Sequence, residues 1–381
     1  MKILINTIST KKHAGGAFQI SQNFLLKTLD HSDVEWYYIT SDDVDKAIGK
    51  KFDSIRGERY FVYPTQPDFR GSFFEVKRKL AELEAMIVPD VVYSITAPSY
   101  FKFKAPEVMR FTNPWVTHPN KYSWSVLSLK ERIFYYLYGL NQKRMMKAAH
   151  YFITQTETCA EGIRRVTGEP KERVKVVHNV LPAIFKQVEN TPIVEDDYIN
   201  IACVGAATTH KNFVIIPDVI RELYELGLKN IRIHVTLPLD EPTLGKVTSK
   251  LEDYGLSDRL VNHGRLAQKD LAEMYRRCQF CFLPTLLEVF SASTVEAMYF
   301  NLPIVATDFP FNTEVLADAC LYYEPKNAKD AAKQFARLIA DKQLQATLRE
   351  RMARQLAIYG DYDAHFNAIK DFLIKVAKKE I

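Results

Sequence analysis

The feature that most constrains this chain is that it starts the same way twice. A short apolar run at 2–6 leads through Gly15 and Gly16 into a segment whose Phe18, Ile20, Phe24, Leu25, Leu26 and Leu29 have the spacing of an amphipathic helix. After a polar stretch at 186–197, a second apolar run at 198–204 meets Gly205 and passes into a helical pattern from 213 to 226. Strand patterns follow the first start at 36–40, 60–63, 91–95, 108–112, 151–154 and 174–178, and the second at 231–237, 260–263, 280–283, 304–306 and 319–323. Helical patterns near 269–277, 293–300 and 328–340 separate the later ones. Strands alternating with helices predict an α/β chain in which helices cover a parallel sheet, and the restart predicts two such sheets with a boundary at 187–197. Two open sheets would hold a ligand in the crevice at the carboxyl ends of their strands.

The 381 residues, 47% hydrophobic and 25% charged, exclude a small module and a disordered chain. Five scattered cysteines, and an opening apolar run cut off at Asn6, predict a reducing, cytoplasmic setting. No uncharged apolar run reaches the roughly 18 residues that cross a bilayer. The net charge of +5 is concentrated in the first half, and 101–150 holds nine basic against two acidic residues among many aromatics. That patch suits an anionic membrane surface or a phosphate-bearing substrate; without a nucleic-acid motif, nucleic acid is not an expected partner. A solvated helix face over a Tyr/Phe core is the competing reading.

The most informative segment runs from the strand pattern ending at Leu283 and Pro284 through Glu288 to Glu296 on a helix. If all eight steps between the glutamates were helical, the carboxylates would stand roughly 12 Å apart, too far to flank one scissile glycosidic bond. They suit the two ends of a long ligand, with a phosphate between them at the helix N-terminus. Ser293 and Glu296 also have capping-box spacing, in which Glu296 only closes its own helix. Asp43 and Asp45 read as a helix N-terminus rather than a metal site, and Cys278 and Cys281 as core.

Together with Val204, Gly205, His210, Lys211, Asn212, His263, Gly264, Arg265, Asn301, Asp308, Pro310 and Glu314, this block resembles the family 4 (group 1) glycosyltransferases of bacterial surface polysaccharides. The resemblance implies the GT-B fold: two Rossmann-like α/β domains facing each other across a cleft, 1–187 for the acceptor and 198–359 for the nucleotide sugar. A C-terminal helix at 360–381 crosses back to the first domain. It implies donor binding by Gly15, Gly16, Gly205, Lys211, Arg265, Glu288, Phe290, Ser291 and Glu296, with Lys211 neutralising the donor diphosphate and Glu296 accepting ribose hydroxyls. Glu288 and Lys211 are the implied catalytic residues, and His118 is the candidate acceptor-side base, histidine being the side-chain type suited to proton transfer at neutral pH.

The implied reaction is retaining, metal-independent and cofactor-free. It moves a hexose from a GDP- or UDP-sugar to a glycan or lipid-linked acceptor, with peripheral contact to an anionic membrane. The family commonly has arginine where Ala206 stands, which keeps open a non-catalytic glycan-binding or partner-subunit homologue. Val289, Ser291 and Val180 replace its usual glycines. A dinucleotide oxidoreductase is disfavoured because neither start contains Gly-x-Gly-x-x-Gly.

Overall fold

The computed structural model describes residues 1–12, 16–68, 71–187 and 197–381. The chain divides into two compact units: Met1–Thr117 with Phe134–Val177 and Asp363–Ile381, and His118–Ile133 with His178–Tyr362. The predicted boundary stretch lies largely outside the described residues.

The first unit is built on β1 (Lys2–Thr7), β2 (Glu35–Ser41), β3 (Tyr60–Tyr63), β4 (Val91–Ser94), β5 (Glu107–Arg110), β6 (Tyr151–Thr154) and β7 (Val174–Val176). They form one sheet in the order β3-β2-β1-β4-β5-β6-β7, and every pairing is parallel. Alternation along β1 explains how both faces are covered. Ile3 and Ile5 pack with Phe24 and Leu25 of the helix Gly16–Thr28. Leu4 turns to the other face, against Val76, Leu80 and Ile87 of the helix Phe73–Ile87.

The second unit repeats the design with β8 (Ile199–Cys203), β9 (Ile231–Val235), β10 (Leu260–Asn262), β11 (Phe280–Leu283), β12 (Ile304–Thr307) and β13 (Cys320–Tyr323). Its order is β10-β9-β8-β11-β12-β13, again wholly parallel. Each predicted strand coincides with one of these thirteen. Cys278 and Cys281 form no disulfide among the described residues and are buried in the core on one face of this sheet. Asp43 and Asp45 lie in the first turn of the helix Asp42–Ile48, although Ser41 is its cap, accepting from the Val44 amide at 3.2 Å. Asp43 accepts from the Lys12 amide, and Asp45 pairs with Arg56 at 2.8 Å.

The helix Leu129–Met146 departs from the reading of a solvated face over an aromatic core. Its buried residues are Gly139, Gln142 and Met146, while Phe134, Tyr136, Leu137 and Leu140 are exposed. Tyr135 holds its inner side by stacking on Trp115 with centroids 4.4 Å apart.

The last helix, Tyr362–Ala377, packs on the first sheet. Phe366 is fully buried, its ring 4.9 Å from that of Phe24 and stacked 4.5 Å from His31. Asp363 pairs with Lys27, and Lys370 with Asp33. Truncating Phe366 removes the ring on which this attachment centres, so Phe366→Ala should cost the first unit about 3–5 kcal/mol. Chemical denaturation should show an earlier transition for that unit; an unchanged midpoint would show that the helix is dispensable to it.

Candidate functional site

Parallel pairing sends the segments that follow β8 and β11 out at the carboxyl ends of the second sheet. After β8 the chain passes Val204, Gly205 and Ala206 and enters two short 3-10 turns, Thr209–Lys211 and Phe213–Ile215. Asn212 joins them in the left-handed region, φ 57°, a conformation that asparagine tolerates better than most side chains. It is buried, as is Phe213, which anchors the turn from below. Nδ2 of Asn212 has no hydrogen-bond partner among the described residues. A Cβ on Gly205 would meet Lys211 Cδ and Phe213 Cζ at 3.5 Å, ordinary contact, so packing within the chain does not demand glycine here.

The segment after β11 carries Glu288, and the next helix begins only at Ala292. The path between the two glutamates is therefore only partly helical, and the all-helical separation does not apply. Lys211 Nζ donates to Glu288 Oε2 at 2.6 Å, and Glu288 Oε1 accepts from the Val289 amide at 3.0 Å. The backbone of the same loop is clamped at several points. The Leu286 amide donates to the His210 carbonyl, Asn120 Nδ2 donates to the Leu286 carbonyl at 2.8 Å, and His118 Nε2 lies 2.6 Å from the Glu288 carbonyl. A carbonyl only accepts, so this nitrogen of His118 carries its proton and donates. His118 thus holds the Glu288 loop in place.

The charges around this pair are sorted by burial. Burial pushes the Glu288 carboxyl up, but the charge and hydrogen bond of Lys211 outweigh it and hold the group below the usual glutamate range. Burial, aided by the Lys211 charge, takes His210 down to about 4, so its ring is neutral at pH 7. Glu296 behaves in the opposite way. It is 6% exposed, and burial raises it to about 7 against the opposing Tyr275 hydrogen bond, donated to Oε2 at 2.8 Å. The capping-box reading of Ser293 is not realised: Ser291 is the N-cap without a side-chain hydrogen bond, and Ser293 Oγ donates to the Val204 carbonyl at 3.0 Å. Ser293 ties the helix start to the β8 loop, and Glu296 faces Tyr275.

The remaining predicted residues do not join this network. Arg265 is exposed and makes no ion pair or hydrogen bond with a described residue. Phe290 is buried, its ring 5.3 Å from Tyr359 and 6.1 Å from His178. Gly15 lies outside the described residues, and Gly16 opens the first helix with nothing within 4 Å of where a Cβ would stand. Tyr275 and Asn120 escaped the sequence analysis. Tyr275 sits in an apolar helical pattern that signals only core, and nothing in sequence ties Asn120 to a loop 166 residues away.

Residues 185–355, which contain Lys211, Glu288 and Glu296, match the family model "Glycosyl transferases group 1". The chain is 24% identical over 191 residues to the O-antigen chain mannosyltransferase RfbU of Salmonella typhimurium, covering 49% of this chain and 50% of that one. It is 26% identical over 227 residues to the N,N'-diacetylbacillosaminyl-diphospho-undecaprenol alpha-1,3-N-acetylgalactosaminyltransferase of Campylobacter jejuni, covering 58% and 59%. The alignment thus spans between half and three fifths of the length of these curated relatives. Among solved structures, a glycosyltransferase from Rickettsia africae superposes with a TM-score of 0.74 at 12% identity, covering 99% of this chain and 98% of that one. Anabaena HepE, solved with UDP and glucose, gives 0.72 at 15% identity, covering 98% and 100%. The second unit thus carries the match to the group 1 glycosyltransferase model, and the two parallel sheets share their fold with these solved structures.

Proposed function

We propose that this protein is a retaining hexosyltransferase that transfers sugar from a GDP- or UDP-sugar to a glycan or lipid-linked acceptor in polysaccharide synthesis, without a metal. The observation that carries the reading is the clamped Lys211–Glu288 pair at the carboxyl end of the second sheet, 2.6 Å long and inside the matched region. A lysine there supplies a fixed positive charge to a leaving diphosphate, and the preceding Gly205 leaves the backbone open to it. Glu288, held ionised, accepts hydroxyls of the transferred sugar, and Glu296 accepts those of the ribose. The acceptor oxygen then bonds to the anomeric carbon on the face that the diphosphate departs from, the carbon–phosphate-oxygen bond breaks, and the acceptor's proton passes to the departing diphosphate, whose negative charge Lys211 offsets. His118 orients the Glu288 loop through Nε2, and a base role would fall to its other ring nitrogen. Among the described residues no three His, Cys, Asp or Glu side chains are grouped to hold a metal ion.

Lys211→Ala should lower kcat/KM by on the order of 100-fold, about 3 kcal/mol, and weaken nucleoside diphosphate binding, while wild-type transfer continues in EDTA. Retained activity and affinity in the variant would remove Lys211 from the donor site. Loss of wild-type turnover in chelator, restored by manganese, would remove the metal-free mechanism.

Glu296 gives a pH test. Its folded-state pKa lies above the ordinary 4.5, so the folded protein prefers the protonated form, and ionisation costs stability as pH rises from 4.5 to about 7. Ribose hydroxyls would instead favour the ionised carboxylate. Nucleotide affinity should therefore fall as pH drops through about 7 in the wild type and be flatter in Glu296→Gln. The same variant should gain stability above neutrality and little below pH 4.5. A wild-type affinity that does not vary between pH 6 and 8, measured calorimetrically, would place the ribose elsewhere.

Peripheral membrane contact is supported by the exposed Phe134, Tyr136, Leu137 and Leu140 on one helix, followed by Lys143 and Lys147. An apolar stripe with basic neighbours suits an anionic interface. No helix among the described residues is long and apolar enough to cross a membrane. Binding to vesicles containing phosphatidylglycerol should weaken with salt and fall on replacing Tyr136, Leu137 and Leu140 by serine. Equal partition onto neutral vesicles, or none onto either kind at low salt, would leave the stripe without this role.

A further inference from the structure

The first unit contains a cavity of about 700 Å³ at the amino ends of β5, β6 and β7. It is therefore at the opposite edge of that sheet from the residues that directly follow β1. Its size falls within the roughly 300–1,000 Å³ of small-molecule sites. Four cations line it, Lys77, Lys102, Lys104 and Arg144, and none makes an ion pair with a described residue. A further cation, Arg173, shares a single carboxylate, Glu169, with the imidazole of His150. Like charges gathered around one cavity repel each other until an anion relieves them.

The cavity is built rather than left over. The loop bearing Lys102 and Lys104 is pinned from beneath by Glu84, itself 6% exposed, whose Oε1 accepts the amides of Lys104 at 2.6 Å and Ala105 at 2.9 Å. Tyr100 lines the wall with φ 62°, a backbone region costly for an aromatic residue. Glu107 is the cavity's acid, and nothing in the proposed transfer uses it. Ser94 donates to its Oε1, and burial raises its pKa to about 7, against the hydrogen bonds from Ser94 and Ser99. A carboxyl poised between its two forms both accepts from and donates to hydroxyls. Phe101, Phe103 and Met109 supply apolar surface.

We propose that this cavity is a second binding site, separate from the donor site, for a phosphorylated sugar or polyol. The phosphate lies among Lys102, Lys104 and Arg144, and a hydroxyl of the body bonds to Glu107. The ligand's source is a soluble sugar phosphate or the phosphoglycerol headgroup of a lipid, and the two are separable by experiment. The last turn of the exposed-stripe helix supplies Arg144, so either ligand meets the same cation.

The test measures thermal stability of the full chain with glucose 6-phosphate, glycerol phosphate, inorganic phosphate and glucose, alongside binding to phosphatidylglycerol and phosphatidylcholine vesicles. A phosphorylated sugar should raise Tm by roughly 3–5 °C at a large excess over Kd, more than inorganic phosphate does, while glucose gives no shift. Lys102→Glu with Lys104→Glu, both exposed positions, should abolish that shift, and Lys211→Ala should keep it. Glu107→Leu should close the gap between sugar phosphate and inorganic phosphate. A soluble response of this kind identifies a soluble ligand. No soluble response, with phosphatidylglycerol binding lost in the Lys102/Lys104 variant, identifies the lipid headgroup. Absence of both, a shift that survives in the Lys102/Lys104 variant, or one lost in Lys211→Ala, overturns the proposal.

Discussion

Parallel strand pairing is the constraint from which the rest of this molecule follows. A parallel neighbour cannot be reached by a tight turn, so each strand needs a crossover, and here helices supply most of them. The crossovers cover both faces, which makes each strand a short, nearly continuous apolar run. They also deliver all the strand-to-helix segments of a sheet to one edge. Lys211 and Glu288, 77 residues apart in sequence, meet because β8 and β11 are neighbours in the second sheet and end on that edge. The same geometry leaves an opposite edge, and in the first unit that edge holds the cationic cavity.

This explains which parts of the structure were legible in the sequence. All thirteen strands were readable because burial on both faces writes itself into local composition, at 2–6 as at 280–283. Glu288 stood out as a lone carboxylate in the loop after a strand, and Lys211 through the family resemblance of the block around it. The partners that hold them did not stand out. His118 and Asn120 reach the Glu288 loop from the other end of the sequence, and hydrogen bonds of such separation leave no periodicity to read. Ser293 shows the reverse failure. Its local spacing to Glu296 matches a capping box, but the Val204 carbonyl offered by the neighbouring strand end takes its hydroxyl, and tertiary contact overrides the local motif. The helix Leu129–Met146 was ambiguous for a related reason: aromatic residues in sequence signal apolar surface without saying whether the chain itself covers it, and here Phe134, Tyr136 and Leu137 stay outside.

Two glutamates eight positions apart end with opposite proton affinities, and the contrast follows from what each is buried with. Glu288 is buried beside a cation that cannot leave, because the Lys211 turn and the Glu288 loop are joined by the Leu286–His210 backbone bond as well as by the ion pair. Its charge is therefore stabilised before any ligand arrives. Glu296 is buried beside a phenol, whose single hydrogen bond does not offset the loss of water, and its proton is retained to about pH 7. Pairs of carboxyls whose surroundings drive their proton affinities apart can divide labour at one pH. In this chain the ionised member faces the lysine that would meet the leaving group. The member that titrates near neutrality faces a tyrosine and is free to exchange that proton for hydroxyl donors when a ligand supplies them.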